Sequence, residues 1–444
     1  NVCMGSSSLT KNTTASNNTA IGYEAMLNNT TGTACVAVGS YALDANTTAD
    51  SNTAIGFDAL TASTSANNTA IGRAALYSNT TGSCTAVGAY ALYDNTTGVA
   101  NVAVGGWDGT TVSALRENTT GSNNTAIGVG ANESNETSND NVAVGYKALF
   151  ANTAADTVGV GNSALGSNTT GLRNTAVGHR ALAANTTGGY NTAVGRHALT
   201  NNTTADYNVA VGNYALDLNT GEGNTAIGYN ALQTNSTGIR HVAIGKDALK
   251  ENTTGDKNVA VGYRAGLDIT TGDSNVCLGP EAGKDQITTG NNALYIARSN
   301  TTHGNAATWI HGDQNGACFQ GNNSSSWSTT SDRRLKKNIV DNTKGLAEVN
   351  QLRVTNFEYK NEEEIDMSEF PLADNAHQVV LGEGNGGLHT GVIAQEIEAV
   401  LPECIQVSER GAKTVQTDPI MWALVNAVKE LSAKVEALES KLNN

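Results

Sequence analysis

Ser331 and Lys336 are the residues of this sequence with the clearest capacity for chemistry. They belong to the segment SDRRLKKNI, which begins at Ser331 and contains four basic residues. A serine hydroxyl becomes a nucleophile when a base removes its proton, and lysine serves as that base when a dry site lowers its pKa. Lowering a lysine pKa from about 10.4 to about 7 requires about 4 to 5 kcal/mol, which only a buried site provides. From the residues alone, a serine before a basic run is also typical of a solvated turn, and both interpretations stay open.

The chain that must position these two residues has two parts of different composition. It has 444 residues, a net charge of -15, 39% hydrophobic residues and only 5% aromatic ones, so a core must consist of Ala, Val, Ile and Leu. Residues 331–444 contain 19 acids and 12 bases, whereas the 330 residues before them contain 22 acids and 14 bases. We therefore predict a boundary near residue 330, with a repeat shaft over 1–290, a β-rich neck over 291–330, a small domain over 331–417 and a helix over 418–444.

Composition also excludes several classes of partner and cofactor. An acidic chain lacks the basic face that nucleic acid requires, and no apolar run is long enough for a membrane helix. The histidines make no closely spaced pair, and the cysteines form no C-x-x-C. We predict no nucleic acid, no membrane insertion, no metal and no cofactor. The six cysteines are predicted to be small buried residues, with Cys3 and Cys277 in place of a core Ala and Cys35 and Cys84 in place of a stacked Asn.

The segment before the boundary is a short-period repeat. From Asn18 onwards, segments such as NTAIGYEAMLNNTTG recur, and the Gly that closes each A-I/V-G triplet returns after 16 or 17 residues, with one interval of 23. A period this short has no room for two helices, and Asn, Thr and Gly disfavour helix. Each unit therefore predicts one coil of a parallel β-solenoid or β-roll. At about 4.8 Å per coil, the rod would be about 80 Å long.

Within a coil, each residue type has a predicted place. The Asn-Thr-Ala-Ile segment is the strand, Gly makes a tight corner, and the Ala and Leu that follow it pack inside. Stacked Asn side chains are predicted to hydrogen-bond as ladders. The strand is predicted to be buried on both faces, with Ile inside the coil and Ala against a neighbouring chain. This arrangement predicts a homo-oligomer.

The 23-residue interval predicts a loop around Trp107 that bulges from the rod. An exposed Trp is a candidate contact for a receptor, because aromatic surface is costly to leave in water without a use. A Trp that folds back onto the coil is the alternative, and the commoner arrangement.

Two helices are predicted after the boundary. The segment GVIAQEIEAVLPE has apolar residues at helical spacing at Val392, Ile393, Ile397, Val400 and Leu401. The terminal helix begins with Asp418 as a cap and Pro419 in the first turn. Lys434 and Glu439 occupy g and e positions. Three heptads are too few for a stable isolated helix, so its a/d seam predicts a coiled coil with partner helices, formed by Met421, Leu424, Val428, Leu431, Val435, Leu438 and Leu442.

Both parts of the chain resemble known families. The repeats resemble the heads of trimeric autotransporter adhesins and the repeats of some phage fibres. SDRRLKKNI, GVIAQEIEAVLPE and the terminal coil together resemble the endosialidase-type C-terminal intramolecular chaperone family, over about residues 331–444. That resemblance implies a homotrimer and a self-processing serine endopeptidase with no external substrate. It implies scission between Thr330 and Ser331 by Ser331 and Lys336, and it places Asp332, His389, Gln395 and Glu396 near the site.

These resemblances give three functional expectations. The first is a trimeric phage tail fibre, an extracellular part of the virion assembled in the host cytoplasm, whose receptor is a glycan or a protein of the host surface. The second is a bacterial surface adhesin-like fibre with the same chaperone. The third is an ice-binding solenoid. A polysaccharide-cleaving tailspike is disfavoured, because acidic residues in the repeats are sparse and dispersed.

Overall fold

The structure is a computed structural model of a single chain, and its described residues fall into two compact units. The units are residues 1–328 and 329–444, and each contains its own hydrophobic cluster. The described residues are 1–107, 109, 113–285, 287–297, 308–312, 318–320, 337, 339–358, 360, 362–370, 389–407 and 413–442.

The first unit is a parallel β-solenoid, as predicted. Seventeen strands of three residues, β1 to β17, stack in chain order, and each strand meets the equivalent residues of the next coil, as in Thr175 opposite Thr192. The strands are Val2–Met4, Thr19–Ile21, Val36–Val38, Thr53–Ile55, Thr69–Ile71, Thr85–Val87, Val102–Val104, Thr125–Ile127, Val142–Val144, Val158–Val160, Thr175–Val177, Thr192–Val194, Val209–Val211, Thr225–Ile227, Val242–Ile244, Val259–Val261 and Val276–Leu278.

The parallel ladder ends in a short antiparallel sheet. Strand β18, Leu294–Ala297, is still parallel to β17. Strands β19, Thr308–Gly312, and β20, Cys318–Gln320, then follow in antiparallel pairing. The pairing changes direction here because the 17-residue return of the coil no longer separates consecutive strands.

The interior of the solenoid is narrow and built from Ala and Leu. Ala181 and Leu182, which follow the corner glycine, are fully buried, as is Ala176 in the middle of its strand. This pattern recurs from coil to coil and confirms the predicted place of the Ala-Leu pair. At the equivalent strand position of β10 stands Gly159, where an added Cβ would lie 3.0 Å from Leu149 Cγ. The space inside the coil therefore accepts a methyl group at most.

The predicted orientation of the strand was wrong. Alternation between its two faces is present, but Ala points into the coil and Ile or Val points out of it, with Ile127 41% and Val177 37% exposed. The reason is the narrow interior, because the Leu side chains of the opposite wall already fill it. A continuous aliphatic stripe therefore lies on the outer surface of the sheet, at the third residue of each strand.

The corner of each coil requires glycine. Gly178 has a φ of 139°, and an added Cβ would lie 2.5 Å from the carbonyl oxygen of Gly195 in the next coil. Only glycine combines this backbone conformation with such close stacking. The predicted tight corner is confirmed.

Two asparagine ladders run along the rod, which confirms the stacking prediction. In one, Asn185 Nδ2 donates to Asn168 Oδ1 at 2.7 Å, and the next coil repeats the bond. In the other, Asn174 Oδ1 accepts from the backbone N–H of Asn191 at 2.9 Å. Each bond joins adjacent coils, so these buried amides are satisfied by the repeat itself.

The cysteines follow the predicted columns, with one exception. Cys35 stands in the second ladder, where its Sγ lies 3.4 Å from the Ala49 carbonyl oxygen, and Cys84 and Cys277 are also buried. Cys3 is exposed, contrary to the prediction, because its strand β1 has a paired neighbour on one side only.

The second unit is a small α+β domain, as predicted. Its elements are α1, Leu346–Val349; β21, Thr355–Phe357; 3-10 turns at Glu362–Glu364 and Met367–Glu369; β22, His389–Gly391; α2, Ala394–Val400; a 3-10 turn at Pro402–Cys404; β23, Ile405–Val407; β24, Lys413–Val415; and α3, Thr417–Leu442. Strands β21 and β22 pair antiparallel, as do β23 and β24.

Both predicted helices exist, with shifted beginnings. Helix α2 begins after Val392 and Ile393, and its Ile397 is buried with Leu401 and Cys404. Helix α3 begins at Thr417, so Asp418 lies inside the first turn and is not the cap. Among the described residues, no helix combines the length and hydropathy needed to cross a membrane.

Candidate functional site

The predicted nucleophile and base lie outside the residues that the structure describes. This applies to Ser331 and Lys336, and equally to Thr330 and Asp332. The described part of the site is the scaffold that follows them in sequence, residues 339–358 and 389–407, together with α3.

The terminal helix holds the segment that leads away from Ser331. Asn426 Nδ2, on α3, donates to the carbonyl oxygens of both Asn342 and Lys344 at 2.9 Å. One turn later, Glu430 Oε2 accepts from the backbone N–H of Leu346 at 3.3 Å. These bonds anchor the beginning of α1 to α3. They link the position of the SDRRLKKNI segment to the helix that carries the predicted coiled-coil seam.

An ion pair joins α2 to the segment before β21. Arg353 Nε donates to Glu396 Oε2 at 3.1 Å, and a guanidinium NH2 group donates to Glu396 Oε1 at 2.5 Å. The hydrogen bonds from Arg353 hold the pKa of Glu396 below its usual value, so this carboxylate stays ionised. The geometry favours a structural role for Glu396, as the acceptor of a two-pronged guanidinium contact.

The remaining residues implied by the resemblance lie in one strand-to-helix segment. His389 is the first residue of β22, opposite Phe357 of β21, and Gln395 is exposed on the first turn of α2. Three residues of the scaffold escaped the sequence reasoning: Arg353, Asn426 and Glu430. Arg353 is 43 residues from Glu396, and Asn426 is more than 80 residues from its partners, so no local spacing indicated these contacts.

Helix α3 has two different faces. Ala423 and Ala427 are buried against the rest of the unit. The predicted seam is exposed on the single chain, by 47% at Val435 up to 88% at Leu442. Its other members, Leu424, Val428, Leu431 and Leu438, are also exposed. A continuous aliphatic seam of this kind is typical of an interaction surface; the coiled coil itself stays a prediction.

Trp107 lies at the edge of the solenoid beside other aromatic and cationic residues. It is 53% exposed, and its ring centroid lies 6.0 Å from that of Tyr90 in an edge-to-face arrangement. With Ser113 and Arg116, these two rings line a pocket of about 280 Å³. Residues 108 and 110–112 of the predicted loop lie outside the described residues. Trp107 thus presents its ring at the surface, in contact with its own coil neighbour.

Metal ligands are not grouped in the described part of the chain. Among the described residues, no three His, Cys, Asp or Glu side chains lie close enough together to hold a metal ion.

Comparison with known families identifies the second unit. Residues 331–406 match the family model described as Chaperone of endosialidase. The matched range begins at Ser331, includes the Arg353–Glu396 pair and ends before α3. Comparisons with curated proteins and with solved structures gave no significant match. The chain therefore carries a chaperone-of-endosialidase domain at residues 331–406, after a β-solenoid of about 17-residue coils.

Proposed function

We propose that this chain is the shaft of a trimeric phage tail fibre, used for attachment to a host cell and assembled by its own C-terminal domain. The observation that carries the proposal is the order of the two parts: a chaperone-of-endosialidase domain follows directly after a repetitive β-solenoid. The chaperone family implies that the chain associates with itself as a trimer.

Two exposed aliphatic surfaces support self-association. One is the outer stripe of the solenoid, whose most exposed members are Ile55, Ile71, Ile127, Val177, Val194, Ile227, Ile244 and Val261. The other is the seam of α3. A soluble monomer rarely leaves apolar patches of this length in water. In the proposed trimer, the stripe packs between shafts and the seam packs between terminal helices.

The repetition of the shaft explains why it needs a chaperone. Each strand meets the same residue types in the next coil, so a chain displaced by one whole coil would find nearly the same contacts with its neighbours. Wrong registers would then lie close in energy to the right one. Three terminal helices that meet at one end remove this degeneracy, because they fix the ends of the chains before the shafts pair.

Release of the domain follows from the chemistry of Ser331 and Lys336. In the proposed reaction, Ser331 Oγ attacks the Thr330 carbonyl carbon while Lys336 accepts the hydroxyl proton. The peptide C–N bond breaks, an ester links Thr330 to Ser331 Oγ, and water then hydrolyses that ester. Attack by a water activated by Lys336 is the alternative route. Burial on trimerisation and the nearby charges of Arg333, Arg334 and Lys337 would lower the Lys336 pKa, so cleavage follows assembly.

The test is a denaturing gel of the wild-type chain beside Ser331→Ala and Lys336→Ala. The wild type is expected to yield two fragments that meet at residue 331, and both variants to remain in one piece, with cleavage slowed by about a thousandfold or more. Lys337→Ala is the matched control and should still be cleaved. A wild-type trimer that stays intact, or a Ser331→Ala chain that is cut at the same bond, would contradict the proposal.

The alternatives differ in how well the surface supports them. A bacterial surface adhesin-like fibre would use the same shaft and chaperone, and a gene neighbourhood without baseplate genes would favour it. An ice-binding solenoid would need a regular threonine face. The first strand position is interrupted, with Val209 between Thr192 and Thr225, so the outer sheet offers no such face.

A further inference from the structure

A groove of about 510 Å³ lies on the side of the solenoid, around the corner from the aliphatic stripe. It arises at the position that follows the buried Leu of each coil. In four successive coils this position holds Phe150, Gly166, Ala183 and Thr200. Two small residues between two larger ones leave a gap in an otherwise filled column, and the groove occupies that gap.

One wall of the groove is cationic. Lys147 and Arg180 line it together with His179, and no carboxylate is among its described lining residues. This is notable in a chain whose net charge is -15. Lys147 Nζ lies 4.9 Å from the centre of the Phe150 ring, which fixes the ammonium group above an aromatic face. The guanidinium group of Arg180 is exposed and makes no hydrogen bond or ion pair with a described side chain.

The rest of the lining is polar or small. Gly166 and Ala183 form the floor, and Ser167 and Asn201 contribute a hydroxyl and an amide on the side opposite the cations. The volume falls within the range of about 300 to 1,000 Å³ that is usual for ligand sites. The groove therefore combines an aromatic and aliphatic surface, hydrogen-bonding groups and an unpaired guanidinium.

We propose that this groove binds a carboxylated sugar residue of an acidic glycan. The Arg180 guanidinium can hold a carboxylate with two parallel hydrogen bonds, and Lys147 adds a second positive charge. The C–H face of the sugar ring packs on Phe150 and Ala183, and ring hydroxyls bond to Ser167 and Asn201. This inference rests on the attachment function proposed above, and it names the class of ligand and a site distinct from Trp107.

Calorimetric titration of the full chain with short oligogalacturonates tests the proposal. The methyl esters of the same oligosaccharides are the matched ligands, because they keep the ring and lose the charge. The acid form is expected to bind at least about tenfold more tightly than the ester, a difference of about 1.4 kcal/mol. Equal affinity for both forms, or no binding of the acid form to the trimer, would overturn the proposal.

Four variants locate the binding. Arg180→Gln and Ala183→Phe should each weaken binding at least about tenfold. Arg264→Gln, in the same column as Arg180 but outside the groove, and Gln233→Phe, in the same column as Ala183, should leave it unchanged. Thermal unfolding of each variant reports whether it folds, and Gln233→Phe shows whether the column tolerates the bulk. Equal losses in both pairs would indicate non-specific attraction of a polyanion and would refute the groove.

Cell adhesion, measured in parallel, separates this inference from the attachment function. A wild-type fibre that adheres to host cells, but binds no oligogalacturonate and loses no adhesion with Arg180→Gln, would refute the groove and leave attachment standing. A fibre that binds the sugar through Arg180 but adheres to no cell would support the groove and contradict attachment.

Discussion

At the residue scale, the place of a side chain in the coil decides its role. His241 shows this best, because it stands in an Asn ladder. It is 1% exposed, its backbone N–H donates to Asn224 Oδ1 at 2.9 Å, and its Nδ1 accepts from the Asn258 N–H at 3.1 Å. Burial lowers the pKa of His241, and Asp256 and Asp273 oppose this only in part. The ladder therefore holds a neutral imidazole, since protonation would remove the acceptor at Nδ1.

This arrangement makes the stability of the shaft depend on pH. A histidine whose folded pKa is lowered stabilises the fold fully above its unfolded value of about 6.5, and that contribution is lost as pH falls below it. His241→Asn should restore the regular ladder and remove this loss. Thermal unfolding between about pH 8 and about pH 5 checks it: the variant should match the wild type at the alkaline end and exceed it at the acid end.

A second buried group acts in the opposite direction and sets the control. Burial, reinforced by Glu117, raises the pKa of Glu133 to about 7, so Glu133 lowers stability as pH rises towards that value. The difference between wild type and His241→Asn isolates the histidine, because Glu133 is present in both. A difference that does not change with pH would contradict the neutral ladder histidine.

At the scale of the element, α3 is divided between two partners. Its small residues Ala423 and Ala427 pack on the domain, and Asn426 and Glu430 bind the segment before α1. Its larger aliphatic residues face outward. The helix thus has the geometry to join assembly to the cleavage segment, since the same element carries the seam and the anchor.

A charge in the seam should prevent assembly. Leu431→Asp places an uncompensated carboxylate at a d position, and burial of an unpaired charge costs several kcal/mol in a trimer core. The change should be made in the Ser331→Ala chain, so that α3 stays attached. Analytical ultracentrifugation should show a trimer for the parent and a monomer for the variant at micromolar concentration. Ala433→Asp, at the outward f position, is the control and should remain trimeric. Trimers in both variants would argue against the coiled coil.

At the scale of the whole molecule, the proposed function predicts a fibre that is stable for kinetic reasons. Once the domain is cut off, the shafts have lost the element that aligns them. A cleaved fibre, denatured and returned to native buffer with its domain removed, should refold in lower yield than the uncut Ser331→Ala chain, by about tenfold. Recovery of trimer, measured by light scattering, checks this. Equal recovery from both would show that the shaft finds its register unaided.

The sequence by itself determined the features that repeat. In a parallel, in-register solenoid each residue meets its own counterpart one coil away, so a one-dimensional period of 16 or 17 residues already specifies the strand, the glycine corner, the Ala-Leu interior and the Asn ladders. The 3-4 spacing of α3 specified its aliphatic seam in the same way. Ser331 and Lys336 were reached through the family resemblance, and the Ser-Lys chemistry remains a prediction.

Only the tertiary structure decided the contacts that no period governs. Which strand face lies inside depends on the width of the coil, and Leu side chains from the opposite wall leave room for Ala176 but not for an Ile. The groove exists because Gly166 and Ala183 are neighbours across coils, between two larger residues. Arg353 meets Glu396, and Asn426 meets Asn342, across long sequence separations. Such pairings are set by the packing of whole elements, and local residue patterns carry no record of them.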